Sequence, residues 1–331
     1  YGKKSKEKII MNWITRWKKI GIKVKQIFKR QPSSQEDADW KSCPKCNKIT
    51  YKPDLYENLY ICECSFHHDM PPKMRLNSLF DSTYEIIEPP KDIDPDPLNF
   101  EVRGGAREGY KYIDKIKKYR EITKQHTALL CGSGTISGLS AVAVCFSRKF
   151  GSGRFGTAEN EHFLKAARFA IEKKVSIWMV IYQSSGIDVH TGVMGLAGMT
   201  KSVIAMDEIK KAGILTFAVA GSPGPVAGGT YASSYYQHDF IIIESRDVEN
   251  ILFSGKRVTA NILKGTDSIP INFGTQSGVM EAGLADITLE TRKKLKETIT
   301  KLANIILKKE TSKITDEAYE NPEDFKKTAS T

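Results

Sequence analysis

Between residues 127 and 243 the chain repeats one pattern: an apolar run, a junction rich in glycine or serine, then a helix-forming stretch. Thr127–Cys131, Ala141–Phe146, Val175–Tyr182, Ile214–Ala220 and Phe240–Ile243 read as strands. Glu161–Lys173 and Val193–Lys211 read as helices between them, and a last amphipathic helix is expected over Thr291–Lys308. Strands that alternate with helices restrict the body to the α/β class. The first two strands are expected to be separated by a turn at Gly132-Ser133-Gly134. No repeat of 20 to 50 residues is visible. Junctions of this composition leave backbone N–H groups at helix starts, where they can hold an anion or an oxyanion.

Ahead of this body stand Cys43-Pro44-Lys45-Cys46 and Cys62-Glu63-Cys64, four cysteines within 22 residues. Thiolates at two tight turns can meet as a tetrahedron around Zn²⁺, and the 15-residue spacer has room for a small hairpin. The second pair is C-x-C where C-x-x-C is usual. His67 and His68 read as polar surface of this module, with an imidazole available should a cysteine fail to reach. Cys131 and Cys145 lie in apolar runs as core residues, so the chain does not read as a disulfide scaffold, and a reducing compartment is expected. Pro71 and Pro72 close the module, Met74–Phe80 reads as a short helix, and the Pro/Asp-rich Pro89–Pro97 as a loop. The body begins near Leu98, and Tyr110–Tyr119 looks helical.

The net charge of +11 is localised. Residues 1–30 hold eleven Lys or Arg against Glu7 alone, so the remainder is nearly neutral. Ile10, Trp13, Ile14, Trp17, Ile20, Val24 and Ile27 recur at helical steps among the lysines, which predicts a basic amphipathic helix. Such an arm can lie on an anionic membrane, touch RNA phosphates, dock on a partner, or rest on its own protein. No apolar run approaches the ~20 residues that span a bilayer, and no signal-peptide pattern is read at the N-terminus.

In order along the chain, several segments resemble the β subunit of the bacterial or plastid-type acetyl-CoA carboxylase carboxyltransferase. They are Met11-Asn12-Trp13-Ile14, Trp40 to Cys46, Asp96-Pro97-Leu98-Asn99-Phe100, Met199-Thr200-Lys201-Ser202, Phe253 to Val258 and Glu281 to Asp286. The resemblance covers about Met11 to Leu302. It implies a crotonase-like core of stacked ββα units with an N-terminal zinc ribbon. It also implies a basic arm and linker over 1–39, the ribbon over 40–70, the carboxyltransferase body over 71–309 and a polar tail over 310–331. The implied reaction moves a carboxyl group from carboxybiotin on a separate carrier protein to acetyl-CoA, giving malonyl-CoA for fatty-acid synthesis. The implied partners are an α subunit in an α₂β₂ assembly, the biotin carboxyl carrier protein and biotin carboxylase. A bacterial cytoplasm, or an organelle derived from one, is the implied setting. Structural Zn²⁺ is assigned to Cys43, Cys46, Cys62 and Cys64. Oxyanion donors are assigned to the backbone N–H groups of Ser185 and Gly186, and substrate binding to Lys201, Gly228, Gly229 and Arg257.

The chain departs from the family at its motifs. Ser185 replaces the first glycine of a Ser-Gly-Gly turn, and Asp188 stands where the family has arginine. The upstream segment Phe150 to Gly156 shifts its glycines, and Ser222 to Gly229 keeps Gly228-Gly229 but loses the Pro-Thr-Thr approach. An added side chain at Ser185 could crowd the thioester and would be strained by about 1–2 kcal/mol at positive φ. Asp188 reverses a charge where an anionic cofactor is expected. These departures keep open a catalytically impaired homologue that serves as a scaffold or nucleic-acid-binding subunit, and an enzyme for another acyl-CoA. His162 and His190 read as structural.

Overall fold

The computed structural model describes residues 39–106, 108–262 and 269–307. The expected basic helix, most of the linker and the tail from residue 310 lie outside the described residues, as does the side chain of Arg257. The chain divides into two compact units, Tyr1–Asn58 and Leu59–Thr331. In the first, β1 (Trp40–Ser42) and β2 (Ile49–Tyr51) form an antiparallel hairpin that leads into α1 (Lys52–Glu57). Its turn is closed by Cys43 N–H donating to Lys48 O and Asn47 N–H to Cys43 O, with Asn47 at φ 58°. Asparagine tolerates that left-handed conformation better than other side chains do.

The second unit opens with a tight turn, in which Cys62 N–H donates to Phe66 O and Ser65 N–H to Cys62 O. There follow α2 (Pro72–Leu79), β3 (Glu85–Ile87), α3 (Tyr112–Thr123), β4 (Leu129–Ile136) and β5 (Leu139–Phe146). Next come β6 (Arg154–Phe155), α4 (Thr157–Glu172), β7 (Ile177–Tyr182), β8 (Gly186–Ile187), a 3₁₀ turn (Val189–Thr191) and α5 (Gly192–Lys211). The chain continues through β9 (Leu215–Ala220), β10 (Val226–Ala227), α6 (Gly228–Ala232), β11 (Phe240–Ile243), β12 (Ile251–Leu252) and α7 (Lys256–Ile262). It ends, among the described residues, with α8 (Gln276–Glu281), β13 (Ile287–Thr288) and α9 (Leu295–Leu307).

Seven strands make one sheet in the order β13-β11-β9-β7-β5-β4-β3, parallel from β5 to β13 and antiparallel at the β3 edge. Both faces of its centre are covered, which is why the parallel strands read as unbroken apolar runs. Alternate residues Val142, Val144, Trp178, Val180 and Tyr182 pack with Phe163 and Ala166 of α4 and Met206 and Ile209 of α5. Their neighbours Ala141, Ala143, Cys145, Met179 and Ile181 pack with Leu76 and Leu79 of α2 and Ile299 and Ala303 of α9.

The expected turn at Gly132-Ser133-Gly134 is instead the middle of β4. The chain reverses at Ser137-Gly138, both at positive φ (49° and 80°). The glycines in the strand serve close packing. A Cβ on Gly134 would stand 2.8 Å from Phe80 Cδ1, and one on Gly132 would stand 3.0 Å from Leu76 Cδ1. Glycine inside a strand marks such close approach as readily as it marks a turn.

Beyond the C-terminal ends of β5, β7, β9 and β11 the chain adds a two-residue strand each time before the following helix. These form a second set of parallel ladders: β6 with β8, β10 with β12, and a bridge from Ser184 to Val226 between the pairs. The repeat of strand, short strand and helix is the stacked ββα unit. It escapes sequence inspection because a two-residue strand has no periodicity to detect.

Candidate functional site

The glycine-rich junctions converge where this second layer meets the helices. Gly186 carries a φ of 104°, and a Cβ on it would stand 2.9 Å from Ala227 O, 3.0 Å from Gly228 Cα and 3.1 Å from Gly229 N. The turn after β7 and the turn after β9 therefore nest backbone against backbone, which no residue but glycine permits at this position. Ser185 escapes the anticipated strain because the positive φ falls on Gly186. The expected pair of open donors is changed, however. Ser185 N–H donates to Ser152 O at 2.9 Å, since the β6–β8 ladder extends that far. Gly186 N–H donates to Ser184 Oγ at 3.1 Å, a hydroxyl that itself donates to Gly153 O.

Asp188 does not face an anion-binding surface. Its side chain is 4% exposed and lies 3.1 Å from Arg154 Nε, while the phenol of Tyr112 donates to it. Arg154 in turn donates to the Tyr112 hydroxyl and, at 3.1 Å, to Glu159. Glu159 also accepts from the N–H groups of Gly156 and Ala128, each at 3.0 Å. Burial pushes the Asp188 carboxyl upward. The Arg154 charge and the hydrogen bonds from Tyr112 and His190 outweigh it and hold the group below its ordinary value. Arg154, in the segment with shifted glycines, and Asp188, after the Ser-Ser-Gly turn, are thus paired in one buried cluster. Burial holds the Tyr112 phenol protonated far above its ordinary range.

His190 belongs to the same cluster. Its Nδ1 lies 2.7 Å from Asp188 Oδ1, and since a carboxylate only accepts, Nδ1 carries the proton. The ring stacks on Tyr112 at 4.0 Å with a 2° interplanar angle and meets Phe100 edge-on at 5.0 Å. His162 is structural as expected: Nε2 donates to Ile87 O at 2.7 Å, which leaves Nδ1 to accept from Thr127 at 2.9 Å. Lys201 of α5 is exposed and paired with Glu161 at 2.5 Å.

His67 and His68 are not polar surface, for both are buried. His67 Nε2 accepts from Arg292 N–H at 3.3 Å. The Arg292 guanidinium donates to Leu59 O, His68 O and Ser222 O, beside a buried ion pair of Arg75 with Glu244 at 2.5 Å. These backbone-directed bonds hold the strap from Leu59 to His68, which carries the second cysteine pair.

The sulfurs of Cys43, Cys46, Cys62 and Cys64 all lie within 4.8 Å of one another. Four thiolates about 2.3 Å from a tetrahedral Zn²⁺ stand somewhat under 4 Å apart, so the donor set fits that ion. The short C-x-C spacing does not prevent the meeting, because Ser65 takes a left-handed φ of 66° and turns the strand back at once. None of the six cysteines is in a disulfide.

A sheet of this order, with short parallel ladders past its strand ends and nested glycine turns, is the crotonase-like carboxyltransferase class of fold. Transcarboxylase 12S with bound methylmalonyl-coenzyme A superposes with a TM-score of 0.52 at 18% identity, over 71% of this chain and 41% of that one. A Pseudomonas malonate decarboxylase hetero-tetramer in complex with malonate gives 0.53 at 16%, over 72% and 82%. Residues 114–330 match the carboxyl transferase domain, and the chain belongs to that family. Among its relatives, the acetyl-coenzyme A carboxylase carboxyl transferase subunit beta of Pelagibacter ubique is 31% identical over 318 residues, 95% of this chain and 97% of that protein. The corresponding subunit of Agrobacterium fabrum is 30% identical over 300 residues, 90% and 95%.

Proposed function

We propose that the chain is the β subunit of a biotin-dependent carboxyltransferase that moves a carboxyl group from carboxybiotin, borne on a carrier protein, to acetyl-CoA. The observation that carries this reading is the nest of Gly186 against Gly228 and Gly229, kept intact although the residues around it have changed. Negative charge develops on the thioester oxygen when the neighbouring carbon loses a proton. A backbone donor aimed at that oxygen contributes about 3–4 kcal/mol in other enzymes. Gly186 N–H is the candidate for this role, and taking it up requires exchanging its present acceptor, Ser184 Oγ, for the thioester oxygen. Gly228 and Gly229 then form the wall against which the thioester lies, and Lys201 and Arg257 are candidates for the cofactor phosphates.

The scaffold alternative loses its two main supports, since Ser185 carries no φ strain and Asp188 is neutralised by Arg154 rather than turned toward the cofactor. Cys43, Cys46, Cys62 and Cys64 would hold one structural Zn²⁺ within a ribbon module over about 40–70. An α-type partner subunit is supported by an exposed apolar stripe, Val189, Val193, Leu196 and Ile204, along the 3₁₀ turn and α5. Carboxyl transfer from malonyl-CoA to biotin, with a carboxyltransferase α subunit supplied, tests the reading. Assembly without acetyl-CoA binding or transfer would overturn it in favour of a scaffold.

A further inference from the structure

We propose that the buried cluster of Arg75, Arg292 and Glu244 is an anion site that takes one chloride ion, and that the ion helps to fasten the strap from Leu59 to His68. The site does not depend on the acyl-CoA reading. The side chains of Arg75 and Arg292 are 2% exposed and that of Glu244 is 1% exposed. Two guanidinium ions therefore share one carboxylate, and among the described residues no other carboxylate pairs with either. The sharing is unequal, for Glu244 stands 2.5 Å from Arg75 and 3.4 Å from Arg292. Burial lowers both guanidinium groups. Glu244 more than offsets this for Arg75, which is raised, whereas Arg292 is held down to about 10, with the Arg75 charge adding to the effect. The cluster thus carries one positive charge in excess, and a buried charge is strongly unfavourable unless it is paired.

The donors are also in excess. Arg75 donates through its terminal nitrogens to Glu244 and Ser222 O, and Arg292 through its own to Leu59 O, His68 O, Ser222 O and Glu244. The Nε–H of each is buried and has no hydrogen-bond partner among the described residues, which is rare for a buried polar group. Both arginines line one cavity of about 30 Å³, with Glu244, Ser78, Lys293 and Lys296 among aliphatic side chains. That is room for a single small occupant, and too little for an oxyanion such as sulfate. A water there would need acceptors for its own hydrogens. Acceptors are scarce: Ser78 Oγ donates to Arg75 O, and Glu244 Oε2 already accepts from Arg75, Arg292 and Ser222 N–H. A halide only accepts, supplies the one negative charge the cluster lacks and tolerates the aliphatic walls. It would hold the same guanidinium whose other nitrogens bind the carbonyls of Leu59 and His68.

The first test is diffraction from crystals of the full chain soaked in sodium bromide, recorded at the bromine absorption edge. One anomalous peak is expected beside Arg75 and Arg292. Water at that place, or bromide confined to surface sites, overturns the proposal. The second test is the thermal midpoint of the full chain at fixed ionic strength, with chloride replaced stepwise by gluconate, which is too large to enter. The midpoint should fall by about 2–4 °C when chloride at tenfold its dissociation constant is withdrawn. Arg75→Met leaves Arg292 and Glu244 as a neutral pair and should abolish that dependence. An equal response in the wild type and the variant, or none in the wild type, overturns the proposal. If Arg75→Met does not fold, the bromide peak still decides.

Discussion

Arg154 and Asp188 should behave as one unit in a double-mutant cycle. The charged atoms lie 3.1 Å apart, with side chains 5% and 4% exposed. At an effective dielectric constant near 20 their attraction is roughly 5 kcal/mol. Part of that offsets the desolvation of each ion, so Asp188→Asn, which keeps the shape, should destabilise the fold by about 3 kcal/mol. Arg154→Met leaves Asp188 and Glu159 buried together without their cation. It should cost about 4–5 kcal/mol, within the range for breaking a buried pair. In the double variant Glu159 still accepts from the Gly156 and Ala128 N–H groups, each at 3.0 Å, and no unpaired charge remains on the Asp188 side. The combined loss should then be about 4–5 kcal/mol rather than the sum, a coupling of about 3 kcal/mol. Urea unfolding of the full chain at neutral pH, followed by circular dichroism with equal m-values required across the four proteins, measures it. Losses that add within about 0.5 kcal/mol would refute the claim that these two residues compensate each other.

Acid should weaken the fold through Glu244, whose carboxyl burial raises but Arg292 and Arg75 pull down to about 2. Its stabilisation, about 3 kcal/mol, is complete above the ordinary carboxylate range and lost as pH falls from about 4.5 to about 2; Glu244→Gln should flatten the pH dependence of the urea midpoint over that window. Gly134→Ala places a methyl group 2.8 Å from Phe80 Cδ1, and an overpacking cost of about 1–3 kcal/mol should appear as a lowered thermal midpoint. Metal analysis should give one zinc per chain, falling well below one in Cys64→Ser. Leu196→Asp, on the exposed stripe of α5, should abolish co-elution with an α-type partner while leaving the thermal midpoint of the isolated chain unchanged.

The long elements were legible because burial on both faces writes itself as apolar runs: Phe240–Ile243 was placed to the residue, and α5 to within one at its start. Gly132 and Gly134 misled because glycine in sequence signals either a turn or a close neighbour, and only the neighbour, Phe80, decides between them. The Gly228-Gly229 pair and the cysteine set were readable from composition and order. The cluster around Asp188 was not, since Tyr112, Arg154 and Glu159 come from three separate elements whose meeting no local pattern announces. The place of His190 in this cluster was equally hidden, because it depends on Asp188 being buried two residues away. The nearest available signal was that Arg154 and Asp188 both stand in segments that depart from the family, and the fold brings those segments together.

The Arg292 clamp has a consequence for how the protein is made. The carbonyl of Leu59 is satisfied by a guanidinium 233 positions downstream, which a ribosome adding 5–20 residues per second delivers roughly 10–50 s later. Until then the strap from Leu59 to His68 leaves the tunnel without this clamp. A chain that stalls before Arg292 would therefore carry this segment without its clamp, a state more open to proteases and chaperones than the finished protein.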